Sequence, residues 1–394
     1  MFRRIQILGW RQFDHVDIDL HPRVTVITGA NGSGKTSILN LLAAHFQWAI
    51  PFVSQASEIR PVEGIGAKAS KIGSIEYSDG AVIDLIAQTS DHVLSFPAFL
   101  PGLKLFPGAF IPSHLPPVVY YPATQLPTNP PTANEILREY TQSLKNRFMQ
   151  GATSPLPSFF LKSALISFAV FGYGSQVIRA NSDLALLFEG FQAVLSQILP
   201  KEIGFEALEV KVPEVLVRTR NGRFPLEAIS GGLASLVDYA WETFLLQSAV
   251  GESTVLIDEP ENHLHPSMQR RVMPALTQAF PRISFVVATH SPFIVSSIKE
   301  SMVFVLRFNA QGKIFSEGLS AYDKSGSAND ILKEVLGVPI TAPLWAEQVI
   351  EQIIDKFRGE EINDKTLEAL RAELREVNLA QYVPESIFKL LSKT

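Results

Sequence analysis

The segment whose residue types most clearly predict chemistry is a glycine-rich turn between a strand pattern and a helical run. Val24–Ile27 alternates as a strand, and the helical run Ile38–Leu42 comes after the turn. The turn reads Gly29-Ala30-Asn31-Gly32-Ser33-Gly34-Lys35-Thr36-Ser37. Glycines let backbone N–H groups turn inward around phosphate oxygens, and the helix N-terminus adds partial positive charge. We expect Lys35 to reach the β- and γ-phosphates and the Thr36 hydroxyl to bind Mg²⁺, so the segment predicts a nucleoside triphosphate site.

Two adjacent carboxylates, Asp258 and Glu259, follow the apolar strand pattern Val255–Ile257. Ligands of open α/β sheets bind beyond the carboxyl ends of the strands. In that position Asp258 is expected to hold Mg²⁺, while Glu259 orients and deprotonates the attacking water. The alternative is a solvated acidic turn, which a phosphate loop in the same chain disfavours.

A histidine and a Ser-Gly-Gly segment add weaker signals. His290 follows the apolar strand pattern Val286–Ala288, and a neutral imidazole there could hydrogen-bond the γ-phosphate or the attacking water. A structural histidine is the alternative. Ser230-Gly231-Gly232 opens a predicted helix, whose N-terminus can bind an anion but is common in proteins.

The elements around these residues alternate between β and α patterns. Phe2–Leu20 reads as a β-hairpin, and short strands are predicted at Ser74–Tyr77, Val82–Ile86 and, within a proline-rich stretch, Val118–Tyr121. Three helices are then predicted, Glu135–Met149 with Asn134 as its cap, Ser158–Phe171 and Ser182–Leu199. The pattern after residue 230 is α/β, and the tail is helical, with apolar positions from Trp345 to Phe357 at helical spacing.

This pattern predicts an α/β fold in four parts: 1–132 as the first part of the phosphate-loop head, 133–204 as an α-helical insert, 205–320 as the second part of the head, and 321–394 as an α-helical C-terminal extension. We expect the head to hold a mixed sheet with an antiparallel β lobe.

Composition limits the remaining functions. The chain has 394 residues, a net charge of −5 and no cysteine, which rules out disulfides and thiolate metal sites. No stretch approaches the roughly 20 apolar residues that a membrane helix needs, and the N-terminus does not resemble a signal peptide. We therefore expect a cytoplasmic protein without a membrane partner. The net charge does not demand nucleic acid.

The order of the motifs is similar to that of ABC-type ATPases in the branch that contains RecF, SMC proteins, and the OLD and PtuA-type ATPases of bacterial antiphage defence. The resemblance, to an ABC-type AAA family ATPase, covers roughly residues 1–90 and 205–310. The matching residues are Gly29–Ser37 for the first nucleotide motif, Ser230 and Gly232 for the signature, Asp258 and Glu259 for the second nucleotide motif, His263–Pro266 for the D-loop region, and His290 for the switch histidine. Arg11 and Phe13 resemble the segment that lies against nucleotide.

The resemblance implies ATP and Mg²⁺ as cofactors, with Lys35, Glu259 and His290 as catalytic residues. It also implies a homodimer in which two heads sandwich ATP and Ser230 and Gly232 of one head contact the γ-phosphate held by the other. Thr36 and Asp258 would hold the metal, with Gln125 as the candidate Q-loop ligand and Gln55 as a poorer one. Leu233 replaces the usual signature glutamine, which weakens the comparison with transporters.

The resemblance favours an ATP-driven switch that controls a separately encoded protein effector, a nuclease or similar, in antiphage defence. A RecF-like DNA clamp is the alternative, so contact with DNA stays open, and a transporter ATPase subunit fits less well. A long coiled coil is excluded because only about two hundred residues separate the two nucleotide motifs. The tail lacks the acidic motif set of an OLD-type nuclease domain.

Overall fold

The computed structural model describes residues 1–53, 69–88, 95–97, 100–115, 119–123, 130–151, 155–320, 326, 328–336, 343–358 and 363–392. The chain divides into two compact units, Met1–Ser325 and Gly326–Thr394.

The larger unit is built on a ten-stranded mixed sheet. The strands of the chain are β1 (Phe2–Trp10), β2 (Phe13–Asp19), β3 (Val24–Gly29), β4 (Pro51–Val53), β5 (Ala69–Tyr77), β6 (Val82–Gln88), β7 (Ser95–Pro97), β8 (Gly108–Ile111), β9 (Phe205–Lys211), β10 (Glu214–Thr219), β11 (Gly222–Pro225), β12 (Ser253–Asp258), β13 (Ile283–Thr289), β14 (Met302–Phe308) and β15 (Ile314–Gly318). The order in the main sheet is β6-β5-β1-β2-β15-β14-β3-β13-β12-β8.

Half of this sheet is parallel and half is largely antiparallel. Strands β14, β3, β13, β12 and β8 run parallel, whereas β2, β1, β5 and β6 form an antiparallel lobe. Every residue of β3, β12 and β13 is buried, as expected for parallel strands covered on both faces. The predicted α/β fold with an antiparallel β lobe is therefore confirmed.

Helices of the larger unit cover the sheet and form the insert. They are α1 (Lys35–Ala43), α2 (Ala133–Gln150), α3 (Pro157–Tyr173), α4 (Ser182–Ile198), α5 (Gly231–Val250), α6 (Pro266–Ala279) and α7 (Pro292–Val295). Helix α1 packs against β3, β12 and β13, and α5 packs against α2 and α4 of the insert. A separate three-stranded sheet, β11-β10-β9, contacts α3 and α4.

Two local predictions were wrong. The cap of α2 is Thr132, not Asn134, because Thr132 and Glu135 form a capping box in which each side chain bonds the other residue's backbone N–H. The predicted strand Val118–Tyr121 has no ladder partner where it is described, since residues 119–123 are irregular and Val118 lies outside the described residues.

The smaller unit is helical, with an apolar core of its own. Its longer helices are Leu344–Lys356, Asp364–Glu376 and Val383–Ser392. The buried residues of this core are Ala346, Ile350, Ile353, Ile354, Phe357, Leu370, Leu374, Leu379 and Leu390. Trp345, which shares the helical apolar spacing, is exposed. Among the helices that the structure describes, none has the length and apolarity to span a bilayer.

Candidate nucleotide site

The phosphate loop joins the end of β3 to the start of α1, as the strand–turn–helix pattern predicts. Gly34, the residue before α1, has a φ of +87°, a left-handed conformation that favours glycine. A Cβ at Gly34 would also lie 2.3 Å from a ring atom of Phe13 and 2.9 Å from the Gln12 amide nitrogen. Gly34 is therefore required by both its backbone angle and the close approach of the β1–β2 turn.

The Lys35 ammonium is folded back into this loop. Its Nζ donates to the carbonyl oxygens of Gly29 and Ala30, at 2.9 and 3.0 Å. Burial lowers the Lys35 pKa, an effect opposed by the nearby carboxylates of Glu259 and Asp258. Both partners are neutral carbonyl groups, and no carboxylate of the described residues forms an ion pair with Lys35. An anionic ligand in the loop could therefore pair with this cation.

The side chains of Asp258 and Thr36, which the sequence analysis proposes as magnesium ligands, lie in contact. The Thr36 hydroxyl donates to the Asp258 carboxylate, with Oγ1 at 2.9 Å from Oδ2 and 3.2 Å from Oδ1. Burial raises the Asp258 pKa to about 6, and the neighbouring charge of Glu259 acts in the same direction. A hydroxyl and a carboxylate are oxygen ligands of the kind that Mg²⁺ takes, so this pair fits the cation beside a phosphate loop.

Glu259 is held in a strained turn just beyond β12. Its φ is +52°, and its backbone N–H donates to the carbonyl of Ala288 at 2.8 Å. Its carboxylate accepts a hydrogen bond from Asn262 Nδ2 at 3.0 Å, and the same amide nitrogen donates to the Ser113 carbonyl. The carboxylate of a candidate base is therefore oriented by a side chain that is itself anchored.

Parallel pairing brings His290 beside Glu259. Strands β12 and β13 are neighbours, with Asp258 opposite Ala288, so the residues after the two strands share one edge. His290 Nδ1 lies 3.6 Å from Glu259 Oε1 and 3.3 Å from Glu261 Oε1. The His290 side chain is 46% exposed and can therefore face a ligand. Glu261, which stands two residues after the predicted base, is a site residue that the sequence pattern does not predict.

The signature residues lie at a different place in the head. Ser230 precedes α5, and Gly232 packs so closely that a Cβ would come within 2.5 Å of the His263 carbonyl oxygen. A cavity of about 690 Å³ opens here, lined by residues that include Ser230, Gly232, His263 and Arg271. Among the described residues that line this cavity, none belongs to the phosphate loop.

Of the two remaining predicted site residues, Arg11 is among the described residues and Gln125 is not. Arg11 lies in the β1–β2 turn with a φ of +52°, and its guanidinium carbon is 5.6 Å from the centre of the Trp10 ring. Because Gln12 of this turn and Phe13 at the start of β2 approach Gly34, this segment adjoins the phosphate loop. Gln125, the predicted metal ligand, lies outside the described residues, as does Gln55.

The fold and the residues at the strand ends define a P-loop nucleotide-binding head with the motif order of ABC-type ATPases. Residues 138–296 match the family model described as "AAA domain, putative AbiEii toxin, Type IV TA system", and residues 4–85 match one described as "AAA domain". The chain is 23% identical over 391 residues to Septu protein PtuA of Bacillus thuringiensis, covering 94% of this chain and 92% of that protein.

A second relative matches over a shorter stretch of the chain. The chain is 29% identical over 126 residues to "Retron Vc95 probable ATPase" of Vibrio cholerae serotype O1 biovar El Tor, covering 30% of this chain and 23% of that protein. These relatives and family models confirm the resemblance to ABC-type ATPases of the group that includes PtuA-type proteins. Among solved structures, the Smc head domain with an extended coiled coil, from Pyrococcus furiosus, aligns with a TM-score of 0.47 and 14% identity, covering 85% of this chain and 99% of that chain.

Proposed function

We propose that this protein binds ATP with Mg²⁺ and hydrolyses it to ADP and phosphate in the cytoplasm. The observation that carries the proposal is the hydrogen bond between Thr36 and Asp258, made at the strand edge where Glu259 and His290 also lie. The backbone N–H groups of Gly29–Ser37 and the Lys35 ammonium bind the phosphates. Thr36 and Asp258 hold Mg²⁺, which supplies charge neutralisation for the phosphate oxygens.

The other predicted site residues have separate roles in the proposed hydrolysis. Glu259 orients the attacking water and accepts its proton, and Asn262 keeps the carboxylate directed. His290 contacts the γ-phosphate or the water, and Arg11 lies against the nucleotide. Gln125 stays a candidate metal ligand. A general base of this kind contributes typically about 10²–10⁴-fold to the rate.

We further propose that the site is completed by a second copy of the chain. Ser230 is exposed, and its side chain makes no capping hydrogen bond to α5. Ser230 and Gly232 of one head would contact the γ-phosphate bound by the other, so that ATP joins two heads and hydrolysis releases them. The dimer would act as a switch on a separately encoded effector, a nuclease or similar, in antiphage defence. Similarity to Septu protein PtuA along nearly the whole chain supports this role.

The test is the mass of the Glu259→Gln protein in solution with ATP and Mg²⁺. We expect a dimer, because the variant keeps the shape of the site and slows hydrolysis by about 10²–10⁴-fold. The control is the double variant Lys35→Ala/Glu259→Gln, which should stay monomeric because it lacks the phosphate-binding cation.

Duplex DNA is then added to the same samples. A dimer that forms equally without DNA supports the effector switch, whereas a dimer that closes only on DNA favours the DNA clamp. A Glu259→Gln protein that turns over ATP at the unaltered rate would contradict the assignment of Glu259 as the base. A mass that stays monomeric with bound ATP would contradict the sandwich.

A further inference from the structure

The head contains a buried carboxylate, Glu261, that has no direct role in the proposed hydrolysis. Glu261 is only 5% exposed and lies in the turn between β12 and α6. Its Oε1 accepts hydrogen bonds from the Thr289 hydroxyl at 2.7 Å and from the His290 backbone N–H at 2.8 Å. Its buried Oε2 has no hydrogen-bond partner among the residues that the structure describes. An unsatisfied buried carboxylate oxygen destabilises the folded protein. A carboxylate at this position is therefore expected to have a function.

That function involves the ring of His290, which lies beside Glu261. Besides the two hydrogen bonds that Glu261 Oε1 accepts, the ring nitrogen His290 Nδ1 lies 3.3 Å from the same oxygen. The second carboxylate near this nitrogen, Glu259, is more distant at 3.6 Å and is bonded to Asn262. A carboxylate oxygen that faces Nδ1 selects the tautomer with hydrogen on that nitrogen, because the tautomer of a histidine is set by the partner of one ring nitrogen.

We propose that Glu261 is a positioning residue that fixes the orientation and tautomer of His290. With Nδ1 turned toward Glu261, Nε2 is the nitrogen left to face a ligand. The same carboxylate fixes the His290 backbone, so ring and main chain are held by one group. For its catalytic consequence, the inference rests on the proposed ATP hydrolysis. The orientation itself does not depend on it.

The surrounding hydrogen bonds make the support rigid. The Thr289 hydroxyl, which donates to Glu261, accepts from the Ser291 backbone N–H at 3.0 Å. The Ser291 hydroxyl donates to Gln269 Oε1 at 2.7 Å, and the Gln269 amide donates to the Leu264 carbonyl at 3.0 Å. The end of β13 is thereby linked to α6 and to the turn that carries Glu261. A displacement of His290 requires several of these bonds to break together.

The direct test reads the histidine ring in the protein without nucleotide. Histidine is labelled with ¹⁵N, the His290 signals are assigned by their loss in His290→Gln, and the nitrogen shifts report which atom carries the proton. We expect Nδ1 to be protonated in the natural sequence and the Nδ1-protonated population to fall in Glu261→Gln. That variant keeps an oxygen for Thr289 and the His290 backbone but removes the charge. Glu252→Gln, at an exposed carboxylate, is the matched control and should leave the signals unchanged.

A second readout follows steady-state ATP hydrolysis. By analogy with residues that orient metal-bound histidines, Glu261→Gln should lower kcat by about 10–100-fold, with KM for ATP nearly unchanged. Glu261→Asp keeps the charge on a shorter side chain, and it should retain the Nδ1 proton and recover part of the rate. It also serves as the test variant if Glu261→Gln does not fold.

The two readouts separate the inference from the proposed function. An Nε2-protonated His290 in the natural sequence, or an unchanged Nδ1-protonated population in Glu261→Gln, would overturn the positioning role. An Nδ1-protonated ring in a protein with no ATPase activity would support the positioning and contradict the proposed hydrolysis. If kcat falls only in proportion to the folded fraction while the ring signals stay unchanged, Glu261 is purely structural and the inference fails.

Discussion

A buried lysine in the insert should contribute several kcal/mol, about 3–5, to the unfolding free energy of the larger unit. Lys162, in α3, is 1% exposed, and its Nζ lies 2.5 Å from Glu214 Oε2 and 2.7 Å from Glu227 Oε1. The same ammonium donates to the Tyr121 carbonyl at 2.9 Å and lies 4.9 Å from the centre of the Tyr120 ring. Since Glu227 stands three residues before the signature serine, Lys162 connects the insert to the segment that leads to the signature.

Replacing this cation by an apolar side chain of similar length has a calculable cost. Lys162→Met leaves the Glu227 side chain, 7% exposed, and the Glu214 side chain, 21% exposed, without their counter-charge. Removing one partner of a buried ion pair typically costs about 3–5 kcal/mol of unfolding free energy. With an unfolding entropy of about 2 cal/mol/K per residue, a unit the size of Met1–Ser325 loses about 1.5 °C in Tm for each kcal/mol. The expected decrease in Tm is therefore about 4.5–7.5 °C.

Scanning calorimetry of matched variants tests this value. The control is Lys211→Met, on an exposed lysine of β9, which should change the unfolding free energy by no more than about 0.5 kcal/mol. The double variant Lys162→Met/Glu227→Gln should recover part of the loss, because it removes one of the stranded charges. A Tm of Lys162→Met equal to that of the control would refute the reasoning from a buried ion pair.

Two further predictions concern the signature and a buried carboxyl. Ser230→Arg should leave ATP binding to the single head intact, as measured by calorimetry, while blocking dimerisation and hydrolysis; loss of binding would mean that the signature acts within its own head. Burial raises the pKa of Glu242, in α5, to about 8, and the charge of Asp238 adds to this while Lys145 opposes it. Because the folded state keeps this proton and the unfolded state releases it, Glu242 should lower the unfolding free energy by about 1.4 kcal/mol per pH unit between its ordinary pKa and about 8. Urea unfolding at pH 6, 7 and 8 should show a shallower decline in Glu242→Gln, and equal slopes would contradict the assignment.

Some features of the fold and site were determined by residues that are close in sequence. The phosphate loop was predictable because the glycines, Lys35 and Thr36 act through the local backbone of one strand–turn–helix segment. The cap of α2 is equally local, because the Thr-x-x-Glu pattern of Thr132 and Glu135 is visible in the sequence and Asn134 lies within the same turn.

Contacts between distant segments were decided only by the tertiary structure. The sequence indicates two buried strands that end in acidic residues and a histidine, but the β12–β13 pairing sets Glu259 and Glu261 beside His290. Lys162 appears in the sequence only as a charge within an apolar helix, and its carboxylate partners lie 52 and 65 residues further along the chain. Local patterns fix backbone conformation and the buried face of an element. Which elements become neighbours, and which buried charges meet, depends on the packing of segments that the sequence keeps apart.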